Sequence, residues 1–200
     1  MKNIFILILS LIHSLLVGCS GSNSENKCNQ LYTKAQENLN RYYETNENNY
    51  LSLAKQFIDS IDCDSYKYKT SNIKITLFTL NKDYKGGIDY IKSLDSSKFY
   101  KPYQKKMFLN NFQVLTLKEK GDEESIDSLN REIILEIESY LIKNVDKEAL
   151  FDLFKIKSKI QSQDSILNDL NLIRRTNEYD HNFLDAIYET VNSESEIKNK

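Results

Sequence analysis

Proline occurs once in these 200 residues and glycine five times. So few turn formers cannot supply the many tight turns of a β-sandwich or the glycine-rich loops of a nucleotide-binding α/β enzyme. Tryptophan is absent and histidine occurs twice, which removes most histidine-based catalysis. An excess of positive charge is missing too. Twenty-seven basic side chains stand against 29 acidic ones, a net charge of -2, so there is no basic footprint for nucleic acid. What is present is ordinary for a folded chain: 40% hydrophobic and 28% charged residues. The length suits one domain or a short array of repeats.

Residues 1–19 read as a leader. Lys2 supplies positive charge, and Ile4 to Leu16 form an apolar run interrupted by Ser10, His13 and Ser14. The run is too short for a comfortable membrane span. It ends in Leu16-Val17-Gly18-Cys19, which resembles the lipobox of bacterial lipoproteins. That resemblance implies a diacylglyceryl group on the Cys19 thiol, cleavage just before Cys19, and often a further acyl chain (palmitate, for instance) on its amine. An ordinary secretory signal peptide that happens to contain a cysteine is the alternative. Loss of residues 1–18 removes Lys2 and His13 and leaves 26 basic against 29 acidic side chains, a net charge of -3. Attachment to a membrane then rests on the acyl chains, at about 0.8 kcal/mol per buried methylene. Residues 19–28 are expected to be the lipidated cysteine and a short flexible tether. Ser20, where an aspartate would signal retention at the inner membrane in many diderm lipoproteins, resembles the outer-membrane pattern.

Cys28 and Cys63 remain. Cys28 opens the first helical pattern and Cys63 closes the second, so in an antiparallel hairpin both lie at the same end. A disulfide is expected, with two free thiols or a metal pair as alternatives. The metal reading is short of ligands, because a structural zinc site wants four. No metal and no cofactor is expected.

Hydrophobic spacing predicts helices over 29–44, 50–61, 84–94, 102–118, 124–143, 147–160, 166–173 and 183–191. Residues 66–80 fit two patterns. Tyr66-Lys67-Tyr68-Lys69 and Ile73-Lys74-Ile75 alternate like a strand, while Ile73, Leu77 and Leu80 fit a helix. A lone strand would have no sheet partner, so helix is chosen. Gly86 and Gly87 sit inside one predicted helix at a cost of about 1 kcal/mol each against alanine. Gly87 is therefore expected at a close helix–helix crossing. Asp146 and Asp180 are expected helix caps.

Asn49-Tyr50-x-x-Leu53-Ala54-x-x-Phe57 lies 34 residues before Asp83-Tyr84-x-x-Gly87-Ile88-x-x-Ile91. A period of 34 is that of tetratricopeptide repeats. Lys82-Asp83-Tyr84-Lys85-Gly86-Gly87-Ile88 resembles the second-helix opening of that family, and Lys120-Gly121-Asp122-Glu123-Glu124-Ser125-Ile126 is a third echo. The first-helix tryptophan-leucine-glycine and the closing proline of the family are missing, and Gly87 stands where alanine is usual. The resemblance implies an all-α chain of antiparallel hairpins, stacked as a short TPR-like α-solenoid over residues 29–192, with a polar tail at 193–200. An irregular helical bundle is the alternative.

Catalytic constellations are scarce. Tyr179-Asp180-His181 with Asp185 could make a weak metal or acid–base group, but Asp180 fits a cap better. The carboxylate pairs fit solvated helix faces, so no catalytic residue is assigned and no enzyme is expected. Ten of the thirteen tyrosines fall between residues 32 and 103. Tyr66, Tyr68, Tyr100 and Tyr103, beside Lys67, Lys69 and Lys101, are the candidate partner-binding residues, with helix-stack filling as the other use of tyrosine. The expected function is a lipid-anchored protein of the outer membrane, on its periplasmic or surface face, that binds a protein or peptide or holds a complex there, without nucleic acid. A periplasmic immunity protein against a toxin and a glycan-binding accessory of an importer are the alternatives. An acidic patch would mark the first, and exposed flat aromatics the second.

Overall fold

The computed structural model describes residues 20–198, with side chains from 24 to 193. The leader and Cys19 lie outside the described residues. Nine α-helices make up the described chain: α1 (Ser20–Thr45), α2 (Asn48–Asp59), α3 (Lys67–Leu80), α4 (Tyr84–Ser93), α5 (Gln104–Lys118), α6 (Glu123–Leu141), α7 (Lys147–Lys157), α8 (Gln163–Arg174) and α9 (His181–Lys198). The fold class is all-α, and most helices pack against their neighbours in the chain. The residues fall into two compact units, one ending at Asp83 and the other beginning at Tyr84.

In the first unit α1 packs against α2, and α2 against α3. Ala35 and Ala54 are fully buried and let the first two helices approach closely, with Leu39, Leu51, Ile58, Ile73 and Leu77 completing the core. Cys28 and Cys63 are joined, their Cα atoms 6.3 Å apart. The expected tether is not a tether here: Ser20 to Lys27 continue α1. No proline interrupts them, and the bonded Cys28 fixes the turn onto which they wind. Ser24 adds a hydroxyl contact of 3.6 Å to the Cys63 sulfur. A half-cystine has no proton to give, so the hydroxyl is the donor.

The ambiguous stretch is helix, preceded by a 3₁₀ turn at Asp64–Tyr66. Its strand-like alternation has a physical cause. Ser71, Ile73, Ile75 and Leu77 are all buried. At 100° per residue, Ile73 and Leu77 share one face and Ser71 and Ile75 the opposite one. A helix buried on two opposite faces mimics a period of two.

In the second unit α4, α5, α6 and α7 pack in succession, and α9 closes on α7 and α8. The core gathers Tyr103, Ile133, Ile137, Leu150, Phe154, Ile166, Leu170, Leu184 and Ile187. Gly87 of α4 faces α5. A Cβ placed there would stand 2.5 Å from Cε1 of Phe112, itself fully buried. The expected close crossing is therefore present. Pro102 sits in a turn just before α5 rather than in its first turn. The polar tail is helical as well, since α9 continues through Ser193 to Lys198, and residues 199–200 lie outside the described residues. Asp122, Asp146, Ser162 and Asp180 cap α6, α7, α8 and α9 through backbone N–H groups. Gly121 takes the left-handed conformation (φ 70°) that ends α5 and re-aims the chain into α6.

Candidate functional site

The tyrosines chosen from sequence divide between the two units. In the first, Tyr66 is buried and its hydroxyl donates to Oδ1 of Asn29 at 2.9 Å. Its ring lies 5.6 Å from that of Tyr32, and the Lys69 ammonium caps both rings at 4.8 and 5.5 Å. Tyr68 stays half-buried. In the second unit Tyr100 is 73% exposed, whereas Tyr103 is 1% exposed. Tyr66 and Tyr103 are thus core residues and do not present a surface. Their rings fill apolar space while their hydroxyls find partners inside the protein. Lys101 beside them is likewise turned inward: it is 5% exposed and engaged by Asp146 and Glu148.

Lys101 anchors a polar network. Its ammonium donates to Asp146 at 2.7 Å and reaches Glu148 at 2.8 Å. Oδ1 of Asp146 also accepts the N–H groups of Glu148 and Ala149, and Oδ2 accepts the Tyr140 hydroxyl at 3.1 Å. The Asp146 N–H donates to the Tyr179 hydroxyl. One cap thereby ties the segment before α5, the end of α6, the start of α7 and the entry to α9. Buried Gln104 holds the same segment by accepting the N–H groups of Tyr100 and Lys101. Burial opposes the Lys101 charge, but its bonds to Asp146 and Glu148 prevail and raise its pKa. Burial likewise opposes the Asp146 charge, and the bonds from Lys101 and Ala149 prevail and lower its pKa. The pair stays ionised across the physiological range, so the lysine is a cation and not a nucleophilic amine.

Asp152 is different. It accepts the Tyr103 hydroxyl at 2.9 Å. Burial raises its pKa despite that hydrogen bond, and Glu148 adds repulsion. Burial, then the Asp152 charge, keep the Tyr103 phenol protonated. A group whose folded pKa is raised gives its full stability below the unfolded value and loses it as pH rises through the folded value. Asp152→Asn, which keeps the acceptor and removes the charge, is therefore expected to raise the melting temperature at pH 7. The gain should vanish at about pH 3, where the wild-type carboxyl is itself neutral. Equal melting temperatures at both pH values would contradict this.

A groove of about 380 Å³ lies between α6, α7 and α8. Leu150 and Leu153 of α7 form its floor. Ile142, directly after α6, and Leu172 of α8 form its lips and are 82% and 59% exposed. Lys157 crosses the floor, donating to Glu138 of α6 at 2.9 Å and to Asp169 of α8 at 2.8 Å. Burial disfavours its charge, but those two hydrogen bonds outweigh it and raise the pKa. Leu135 and Val145 are also exposed nearby in the chain. These residues escaped the tyrosine-based reading, yet a signal existed. Leu135, Ile142 and Leu172 are apolar but fall off the stripes that the helical spacing assigns to the core.

A second cavity of about 400 Å³ lies between α4, α5 and α6, with Gln113, Thr116, Ser125 and Ser128 on its wall. Asp180 caps α9, and Asp185 pairs with Arg174. Among the described residues no group of three or more histidine, cysteine or carboxylate side chains is arranged to hold a metal ion. Nor is any helix among them long and apolar enough to cross a membrane.

The fold and these surfaces define an all-α protein of two compact helical units, the first closed by a disulfide and the second carrying an open apolar groove. No protein-family model, no curated protein and no solved structure matches the chain.

Proposed function

We propose that this chain is a bacterial lipoprotein, acylated at Cys19 and held at the outer membrane, that binds a protein or peptide partner on TPR-like helical hairpins. The 34-residue offset and the packing of helices on their chain neighbours support the hairpin reading. Leu16-Val17-Gly18-Cys19 behind Lys2 and an apolar run supports the anchor. The observation that carries the binding function is the set of large apolar side chains left exposed on or beside α6 and α8: Leu135, Ile142, Val145 and Leu172. Scattered exposed leucines need no explanation, but two of these form the lips of one groove. The tyrosine surface contracts to Tyr68 and Tyr100, and the two well-exposed rings, Tyr43 and Tyr100, belong to different units, which gives little support to glycan binding on one face of either unit.

The immunity-protein reading keeps one specific support. The groove is lined by three carboxylates, Glu138, Asp169 and Glu178, against the single ammonium of Lys157. Such a rim suits a basic partner.

Mass spectrometry of the mature N-terminus tests the anchor, with an acylated Cys19 as the expected result. Cys19→Ser should release the protein from the membrane fraction with its circular dichroism unchanged. An unmodified N-terminus at another residue would overturn the proposal. For the binding function, partner capture by in-cell cross-linking should fall at least tenfold in Ile142→Ser/Leu172→Ser and persist in Tyr68→Ser/Tyr100→Ser.

A further inference from the structure

The groove permits a more specific statement, which rests on the partner-binding reading. Its walls are helical, and their side chains repeat at helical pitch. Glu138 of α6 and Ile142, its C-cap, line the groove four residues apart, and Leu135, three residues before Glu138 and outside the lining, extends the same stripe along α6. Asp169 and Leu172 are three apart on α8, with Thr176 four residues further. From Leu135 to Ile142 the α6 stripe covers about 10 Å, two turns. Rows at this spacing accept the ridges of another helix more readily than an extended strand, which would need an edge with unpaired backbone groups.

The charge around the groove selects among helices. Lys157 lies beneath the lips, 11% exposed, and both its near carboxylates are already its partners. Its single positive charge is thus shared between Glu138 and Asp169, and Glu178 adds a third negative charge at the rim. The groove therefore offers apolar lips, an apolar floor and a net charge of about -2 from those four groups. An acidic helix or an anionic lipid surface would meet repulsion there.

We infer that the α6–α7–α8 groove is a docking site for an amphipathic helix of a protein partner, one that carries apolar residues at i, i+3 or i+4, and i+7 and is flanked by lysine or arginine. The apolar face seats between Ile142 and Leu172 over Leu150 and Leu153. The basic flank meets the outer oxygens of Glu138 and Asp169 and the carboxylate of Glu178.

The test uses the full chain and two synthetic 14-residue helices, one of leucine and lysine and one of leucine and glutamate in the same pattern. If the protein is lipidated it is held in phosphatidylcholine nanodiscs, and if it is not it is used in buffer. The expected result is saturable binding of the leucine–lysine helix by fluorescence anisotropy, weakening with added salt. Ile142→Ser/Leu172→Ser should weaken binding at least tenfold with unchanged circular dichroism. Glu178→Lys should weaken it about three- to tenfold. Equal binding of the leucine–glutamate helix, binding indifferent to both variants, or no binding up to millimolar peptide would overturn the inference. So would loss of a dimer in Ile142→Ser/Leu172→Ser, which would make a second copy the occupant, or capture by phosphatidylglycerol vesicles through the same residues. Failure of the anchor is read separately, from the absence of the protein in nanodiscs. Failure of the groove with persisting cross-linked partner capture in Ile142→Ser/Leu172→Ser would leave partner binding standing and move it elsewhere.

Discussion

Gly87→Leu is expected to destabilise the second unit by about 3 kcal/mol or more, with the loss read as a fall in urea midpoint. Overfilling a packed core costs about 1–3 kcal/mol, occasionally more, and here even one carbon is too many. The first atom of any side chain at 87 would meet Cδ1, Cε1 and Cζ of Phe112 at 2.5–2.9 Å. The Phe112 ring is fully buried and lies beside Tyr84, with ring centroids 6.4 Å apart, so it has little room to withdraw. Alanine sharpens the test because it pulls in both directions. Helix propensity favours it over glycine by about 1 kcal/mol. A net loss in Gly87→Ala of about 1 kcal/mol therefore requires the clash to exceed that gain. Phe112→Leu in the same chain should recover part of it, a non-additive pair diagnostic of contact. A raised midpoint in Gly87→Ala would show that the crossing yields.

The second large effect is that of the disulfide. Cys28 and Cys63 are 35 residues apart, and closing a loop of that size removes about 4 kcal/mol of denatured-state entropy at 25 °C in the chain-entropy view. Cys28→Ser/Cys63→Ser should lower the stability of the first unit by up to that amount. The loss should be local. Amide exchange in α1, α2 and α3 should accelerate, while α5 to α9 keep their protection. A reductant should reproduce the variant's behaviour in the wild type and leave the variant unaffected. Equal exchange in all helices would mean that the two units unfold as one, and no change anywhere would mean that the denatured chain gains nothing from being open.

Much of this architecture was legible because helices announce themselves twice, by spacing and by their ends. The stripes of α6 and α7 predicted both helices to within about three residues. The left-handed turns fell at Asn46, Lys82, Gly121 and Asn177, and three of those four are asparagine or glycine. Gly87 was readable because a glycine inside a helix needs a reason. The extent of α1 was not readable. Ser20 to Lys27 have no apolar periodicity, and their helix depends on the bonded Cys28 and the packed turns beyond it. The candidate site was read poorly for a related reason. Tyrosine is amphipathic, so its number shows neither burial nor exposure. Tyr66 and Tyr103 are held inside by Asn29 and Asp152, partners 37 and 49 residues away, and no local pattern reveals them. The exposed Ile142 and Leu172 were visible only as apolar residues out of phase.

Packing on chain neighbours also has a kinetic side. Helix pairs joined by short turns close small loops, and chains dominated by such contacts fold in microseconds to milliseconds. In the second unit the ties of Lys101 to Asp146 and of Tyr103 to Asp152 are among the exceptions, spanning 45 and 49 residues. Closing those spans carries a larger loop entropy, and both end in or just before α7. The helix pairs form first on this account, and the docking of the Lys101–Tyr103 segment onto α7 is the late event. The same polar network that fixes the unit's geometry thus sets the time at which the segment before α5 closes onto an α6–α7 pair that is already formed.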